Sequence, residues 1–351
     1  MGTERSFTLV LGGGGMRGLA HVGVLEALTQ ATFLPAEVVG SSVGALVAAA
    51  WCTGMSTREM TDLAFELRRR DLFQIAHREM ALKRMQSPGL YRPEPLHDFV
   101  SGLLGDLTFD ELEHPLLVNT VDIDVGTQVF WGQPGLRDLR VADAVIASCA
   151  LPGFFPPHPI NGRYYADGAA AANLPVHPGA TAGRDLVIAV DVGTRGRPGS
   201  NTQRGGFAAV YARATEIAIQ RMDETVLRQW TRPPLVLIRP AVWHIPLLSF
   251  DHSAELLRAG FLAAHELTTP GALPEPDQTG VFPRHAFDVN IDEARCVGCG
   301  ACVHLAPPGQ FRMDTNGKAV VVNPTPSWSP IDGFCVAQCP TRAISAVRRP
   351  E

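Results

Sequence analysis

Apolar residues follow two rhythms along this chain. Short unbroken runs at Phe7 to Leu11, Val38-Val39, Leu186 to Asp191 and Leu235 to Ile238 read as strands buried on both faces. Between them the apolar positions recur at helical spacing. Leu19, Val22, Leu25 and Leu28 mark the inner face of a helix from about Arg17 to Thr29, and Val43 to Cys52, Val141 to Ala150, Phe207 to Trp230 and Ser253 to Glu266 predict further helices. Leu116 to Asp122 and Gln128 to Trp131 predict a strand pair around a turn at Gly126, and Tyr164-Tyr165-Ala166 a strand that leads into Asp167-Gly168-Ala169. Strand, loop and helix in alternation is the opening of an α/β fold.

Three stretches break these rhythms. From Met60 to Leu112 the pattern is helical but basic, and residues 68–92 carry Arg68, Arg69, Arg70, Arg78, Lys83, Arg84 and Arg92 against only Asp71 and Glu79. Such a segment is either a solvated helix face or a peripheral contact with an anionic membrane surface. The loop from Gly193 to Gly206 is too long for a simple connection. Thr268 to Arg284, with Pro270, Pro274, Pro276 and Pro283 and little periodicity, reads as a linker. The expected division is therefore residues 1–267, a linker over 268–285, and a small module over 286–351.

Composition narrows the classes. At 351 residues, 46% hydrophobic and 19% charged, the chain can bury one large core and still carry a small second module. A net charge of -5 gives no general attraction to nucleic acid. No apolar run reaches the length of a membrane span and no secretory leader opens the sequence, so cytoplasmic residence is the expectation. Five of the seven cysteines fall between 296 and 339, whereas Cys52 and Cys149 stand alone in apolar helices as inert thiols.

Candidate chemistry lies at two strand-to-helix turns. Gly40-Ser41-Ser42-Val43-Gly44 is a G-x-S-x-G elbow, in which small neighbours let the backbone bend and a substrate carbonyl approach Ser42. The bland alternative is that Ser41 or Ser42 merely caps the following helix. Upstream, Gly12-Gly13-Gly14-Gly15-Met16-Arg17-Gly18 offers successive backbone N–H groups for a developing oxyanion, with Arg17 orienting the loop or adding positive potential. Gly13, Gly15 and Gly18 also fit G-x-G-x-x-G, with Glu37 near the place of a ribose-binding acid. That dinucleotide reading is weakened because Glu37 precedes its strand. Asp167, before Gly168 at a strand end, is either a turn former or the base for Ser42. His21, His158 and His177 are the histidines that a Ser-His-Asp triad could draw on, and none stands in a pattern that marks a base.

In that order, Gly13-Gly14-Gly15-Met16-Arg17-Gly18, the Ser42 elbow, Ala147-Ser148 through Phe155-Pro156-Pro157, and Asp167-Gly168-Ala169 resemble the patatin-like phospholipases over roughly residues 5–270. The resemblance implies a three-layer α/β/α hydrolase domain and acyl-ester hydrolysis, lipase or phospholipase in type. It also implies a Ser42–Asp167 dyad without a catalytic histidine, and an oxyanion site at Gly13, Gly14, Gly15 and Arg17. Transacylation is a variant, because an acyl-enzyme can be intercepted by another alcohol.

The C-terminal cysteines form a second motif. Cys296-x2-Cys299-x2-Cys302 followed by Cys339-Pro340 has the spacing of a bacterial ferredoxin cluster, with zinc as the alternative for four thiolates. Ala306 stands where the two-cluster form needs a cysteine, so one [4Fe-4S] cluster is expected, and Cys335 reads as a remnant of the missing set. Ala286 to Val347 resembles single-cluster ferredoxins, which implies a small α+β domain. Ester hydrolysis transfers no electrons, so the fusion suggests redox regulation of the hydrolase or docking of a redox partner protein. The third possibility is an electron carrier whose hydrolase-like domain only binds an acyl ligand.

Overall fold

The computed structural model describes residues 5–76, 89–193, 206–269 and 271–350. The chain divides into two compact units, Met1–Asp223 with Ile238–Ala272 and Glu224–Leu237 with Leu273–Glu351.

The first unit runs β1 (Phe7–Leu11), α1 (Ala20–Gln30), β2 (Glu37–Ser41), α2 (Val43–Cys52), α3 (Thr57–Glu66), α4 (Arg69–Leu72) and α5 (Glu94–Leu104). It continues through β3 (Leu116–Asp122), β4 (Thr127–Trp131), α6 (Val141–Cys149), β5 (His158–Ile160), β6 (Arg163–Asp167), α7 (His177–Thr181) and β7 (Leu186–Val190). The start of α8 (Gly206–Gln229) and then α9 (Ser253–His265) complete it. Its strands lie in the order β5-β6-β3-β2-β1-β7, with β4 on β3. β1 pairs in parallel with β2 on one edge and β7 on the other. Every residue of β1 is 0% exposed. Successive strand side chains point to opposite faces, so the sheet is covered on both, which is the three-layer α/β/α arrangement.

One strand fixes where the chemistry can be. β3 pairs with β4 along one edge, from Val118 to Asp122. Its other edge is shared: Leu116 to Asn119 pair in parallel with β2, and Thr120 to Asp122 pair antiparallel with β6. Ser41 is opposite Asn119 and Asp167 is opposite Thr120. Two strands running towards each other therefore end at adjacent positions of the same edge, and the turns leaving them meet.

Among the helices, α1 packs on α9 with their backbones in direct contact: a Cβ on Gly260 would overlap the Ala20 carbonyl, and one on Gly23 the Leu257 carbonyl. The helix expected from Arg17 begins as a 3-10 turn over Gly15–Leu19, in which Gly18 sits so close to Val43 that a Cβ there would overlap it. The helical stretch expected from Met60 to Leu112 is interrupted. α3 ends at Leu67 in extended backbone, and Ile75 bridges antiparallel to Tyr91 before Pro93 opens α5. Of the basic segment, Arg78, Lys83 and Arg84 lie outside the described residues, as do Pro270 and residues 194–205 of the long loop. Among the described residues no helix is long and apolar enough to cross a membrane.

The second unit takes the end of α8, β8 (Leu235–Ile238) and β9 (Val281–Phe282), which pair in parallel, then β10 (His285–Ile291), α10 (Ala301–Leu305), β11 (Phe311–Met313), β12 (Ala319–Val321), β13 (Ser327–Trp328), α11 (Phe334–Ala337) and β14 (Ile344–Arg348). β10 lies between β13 and β14, and β11 pairs with β12, all antiparallel. This is a small α+β, ferredoxin-like unit. Its core joins Val289, Ile291, Phe311, Trp328 and Ile344 to Cys296, Cys302 and Cys335.

The α1–α9 contact generates a direct test. Gly260→Ala must part the two helices and is expected to lower unfolding stability by roughly 1–3 kcal/mol, as overpacking does. Urea denaturation measures it, and an unchanged midpoint contradicts the close approach.

Candidate functional site

Ser42 sits at the apex of the β2–α2 turn with φ 54 and ψ -131, a left-handed backbone that costs a non-glycine residue on the order of 1–3 kcal/mol. It occupies the N-cap position of α2, yet its side chain makes no capping bond. The capping alternative therefore fails. Its N–H donates to Ser148 Oγ at 2.8 Å, and Ser148 Oγ donates to the Asn119 carbonyl at 2.7 Å. Asn119 Nδ2 donates to Ser41 Oγ at 3.2 Å and to the Ala172 carbonyl at 2.8 Å. A Cβ on Gly44 would collide with the Leu11 carbonyl and one on Gly40 with the backbone of Ala45, which is why both flanks of the elbow are glycine.

Asp167 closes β6 and is 1% exposed. Its N–H donates to the Ala150 carbonyl at 3.0 Å, and its Oδ1 accepts the Ala169 N–H at 2.9 Å. Ser42 hydrogen-bonds to the same carboxylate through its side chain. Burial outweighs both bonds and pushes the carboxyl from its ordinary 3.8 up to about 6. The structure thus brings a strained serine onto a carboxylate whose proton affinity has been raised, a pairing able to deprotonate the hydroxyl.

Two of the three candidate histidines are engaged elsewhere, and His177, at the start of α7, is exposed. His21 is fully buried, with Nε2 2.8 Å from the Gly12 carbonyl, and burial pushes it down to about 4. His158 Nε2 lies 3.4 Å from Asp143 Oδ1. Glu37 begins β2 opposite Thr8, a strand's length from the glycine loop, so the ribose-binding role has no place. Cys52 is buried and Cys149 partly so, and burial raises both thiols.

The glycine loop is held from three sides. Gly12 N–H donates to the Val190 carbonyl at 3.1 Å, Gly13 N–H to the Asn173 carbonyl at 3.1 Å, and Met16 N–H to the Leu247 carbonyl at 2.8 Å. Gly13 was expected among the oxyanion donors, but its N–H is committed to Asn173, and its Cα instead faces Ser42. Among the described residues the N–H groups of Gly14 and Gly15, and of Val43 at the start of α2, have no hydrogen-bond partner. Arg17 is 2% exposed and its Nε donates to the Ile245 carbonyl at 2.7 Å, so it anchors the loop. Asn119 and Asn173 were not singled out from sequence, and Ser148 was named there only as part of the Ala147-Ser148 motif, without a role. Asn119 had a weak signal, an amide side chain within a fully buried strand; Asn173 had none.

In the second unit Cys296, Cys299, Cys302 and Cys339 line one cavity together with Ile291 and Thr341. Cys335 is not among its walls: 1% exposed, it donates weakly to the Asp332 carbonyl and burial pushes its thiol up to about 11. Cys339 differs. Burial acts to raise it, but hydrogen bonds from Thr341 and from the backbone of Ala343, Thr341 and Ile344 prevail and hold it below the usual thiol range. N–H groups aimed at a sulfur are what a cluster thiolate needs. Among the described residues no three His, Cys, Asp or Glu side chains converge on a single metal ion. Four thiols spaced around one cavity suit a cluster, in which each binds a different iron, better than a zinc ion.

Residues 9–180 match the patatin-like phospholipase family, and residues 291–346 match the 4Fe-4S single cluster domain of ferredoxin I. An uncharacterised NTE family protein of Mycobacterium tuberculosis is 33% identical over 184 residues, which covers 52% of this chain and 48% of that protein. A cGAMP-activated phospholipase of Escherichia coli is 27% identical over 192 residues, 49% of this chain and 54% of its own. The chain spans about half the length of these relatives. The structure of VipD from Legionella pneumophila aligns with 76% of this chain and 67% of its own at 16% identity and a TM-score of 0.48. The chain thus joins a segment that matches the patatin-like phospholipase family to one that matches the single-cluster ferredoxin domain.

Proposed function

We propose that the chain is a serine acyl-ester hydrolase of lipase or phospholipase type, working through Ser42 and Asp167. The observation that carries this is the meeting of the two residues on the shared edge of β3, with Ser42 in a strained backbone and its side chain on the raised carboxylate. Similarity to the Escherichia coli phospholipase supports a lipid ester as substrate.

Asp167 takes the hydroxyl proton as Ser42 Oγ bonds to the ester carbonyl carbon. The carbonyl oxygen gains the negative charge and is stabilised by the N–H groups of Gly14, Gly15 and Val43, in a loop that Arg17 keeps in place. As the tetrahedral adduct collapses, Asp167 returns the proton to the departing alcohol. Water then repeats the sequence on the acyl-enzyme, with Asp167 accepting its proton and returning it to Ser42. An alcohol in place of that water makes the same site a transacylase.

Cys296, Cys299, Cys302 and Cys339 are the residues that would hold one [4Fe-4S] cluster, a group that supplies reversible one-electron transfer. We assign this module to redox regulation of the hydrolase or to docking of a redox partner protein. We place the hydrolase domain in residues 1–267, the linker in 268–285 and the ferredoxin domain in 286–351, although residues 224–237 group with the C-terminal unit. We read the protein as cytoplasmic, reaching lipid by peripheral contact with a membrane surface.

Three outcomes follow. Ser42→Ala lowers hydrolysis of a short-chain nitrophenyl ester by more than about a thousandfold; retained activity points to another nucleophile. Asp167 ionises with a raised pKa, so its burial costs nothing in acid and weighs fully above about pH 6. Asp167→Asn is accordingly expected to stabilise the fold at pH 8 by roughly 3 kcal/mol, the worth of the rise from 3.8 to about 6, and to leave pH 4 stability unchanged. Urea titrations at the two pH values decide this, and equal midpoints at pH 8 contradict the raised carboxyl. Finally, Cys339→Ala loses bound iron and acid-labile sulfide whereas Cys335→Ser keeps them. The reverse would exchange the two cysteines' roles.

A further inference from the structure

Behind the glycine loop lies a carboxylate that the mechanism does not use. Asp223, on α8, accepts the Leu174 N–H on Oδ1 at 3.1 Å, and hydrogen bonds from both the backbone and the side chain of Asn173 reach the same carboxylate. Asn173 passes the constraint on. Its Nδ2 donates to the Gly13 carbonyl at 3.1 Å while its own carbonyl accepts the Gly13 N–H at 3.1 Å, so both polar atoms of Gly13 are gripped by one residue. A Cβ on Gly13 would overlap Asn173 Oδ1 and stand 3.1 Å from Ser42 Cβ. The gripped glycine therefore lies between Asn173 and the serine.

We propose that Asp223 is a positioning residue for the oxyanion site, acting through Asn173 to hold the Gly13 peptide so that the free N–H groups of Gly14 and Gly15 face the carbonyl bound at Ser42. This deepens the hydrolase reading and rests on it for its catalytic meaning. The hydrogen-bond inventory explains why an acid is suited to the place. The Asn173 amide has two hydrogens, one for Gly13 and one for Asp223, and Leu174 and Asn173 bring two further N–H groups, so the receiving group must accept three bonds and donate none. Only a carboxylate among the short side chains does so.

The electrostatic setting makes the clamp sensitive to pH. Burial, with the neighbouring Asp191 adding to it, pushes Asp223 up to about 7 against the lowering effect of its hydrogen bonds. The charged neighbour acting on it is Asp191, which itself pairs with Arg239 at 3.0 Å. Above about pH 7 the carboxylate accepts all three bonds. Below it one oxygen carries a proton and the grip loosens.

Hydrogen exchange on the full-length protein tests this without relying on activity. In Asp223→Asn, nearly isosteric, the peptide covering Gly12 to Met16 is expected to exchange at least about tenfold faster than in the wild type at pH 8, with β1, β2 and α2 unchanged. In the wild type itself, that peptide should lose protection between pH 8 and pH 6 after correction for intrinsic rates, and the variant should show no such dependence. With a hydrolysable ester the variant loses kcat by about tenfold with KM within twofold, a smaller loss than removal of an oxyanion donor. Unchanged exchange over Gly12 to Met16 in the variant, or protection in the wild type that is flat with pH, overturns the proposal. Failure of the wild type to hydrolyse esters would sink the hydrolase reading instead, and the exchange result would still decide whether Asp223 holds the loop.

Discussion

The sharing of one edge of β3 by two oppositely directed strands is the constraint on which the rest depends. β2 occupies the edge as far as Asn119 and β6 takes it over from Thr120. Neither strand can extend without displacing the other. The chain must leave the sheet at both ends, through Ser42 on one side and Gly168 on the other. Asn119, at the changeover, uses its side chain on Ser41 and Ala172 and its carbonyl on Ser148, which in turn holds the Ser42 N–H. Backbone pairing is what brings Ser42 and Asp167 together.

The same economy shapes the oxyanion side. Gly12, Gly13 and Met16 donate their N–H groups to Val190, Asn173 and Leu247, three segments distant in sequence, so the loop is fixed by its flanks while Gly14 and Gly15 keep theirs. Arg17 and His21, the two polar residues most suggestive of chemistry, spend their hydrogen bonds on Ile245 and Gly12. Burial that makes Asp167 a better base makes His21 a poorer one: desolvation favours the neutral form of both, raising an acid and lowering a histidine.

Much of this was legible in the sequence because it depends on local rules. Strands of the parallel core read as apolar runs, α2 ends where its apolar run ends, and the glycines flanking Ser42 announce a turn too tight for side chains. The cysteine triplet needs only its spacing. What could not be read depends on partners far along the chain. Nothing local says that the N–H of Gly13 is taken by Asn173, 160 positions away, or that Gly23 and Gly260 let two helices touch. The stretch from Met60 to Leu112 misled for a related reason. Amphipathic spacing persists there, but Leu67 and Pro93 break the backbone, and the Ile75–Tyr91 bridge sets an extended segment among short helices.

The two segments share a chain without sharing a reaction, so the account stands or falls first on the serine. The most direct measurement is the rate at which a fluorophosphonate probe modifies the protein between pH 5 and pH 8, with the adduct located by mass spectrometry. A single adduct on Ser42, forming faster as pH rises through about 6 and abolished in Asp167→Asn, is the result this structure predicts. An adduct on another residue, or modification of Ser42 at the same rate with and without the Asp167 carboxylate, would contradict it.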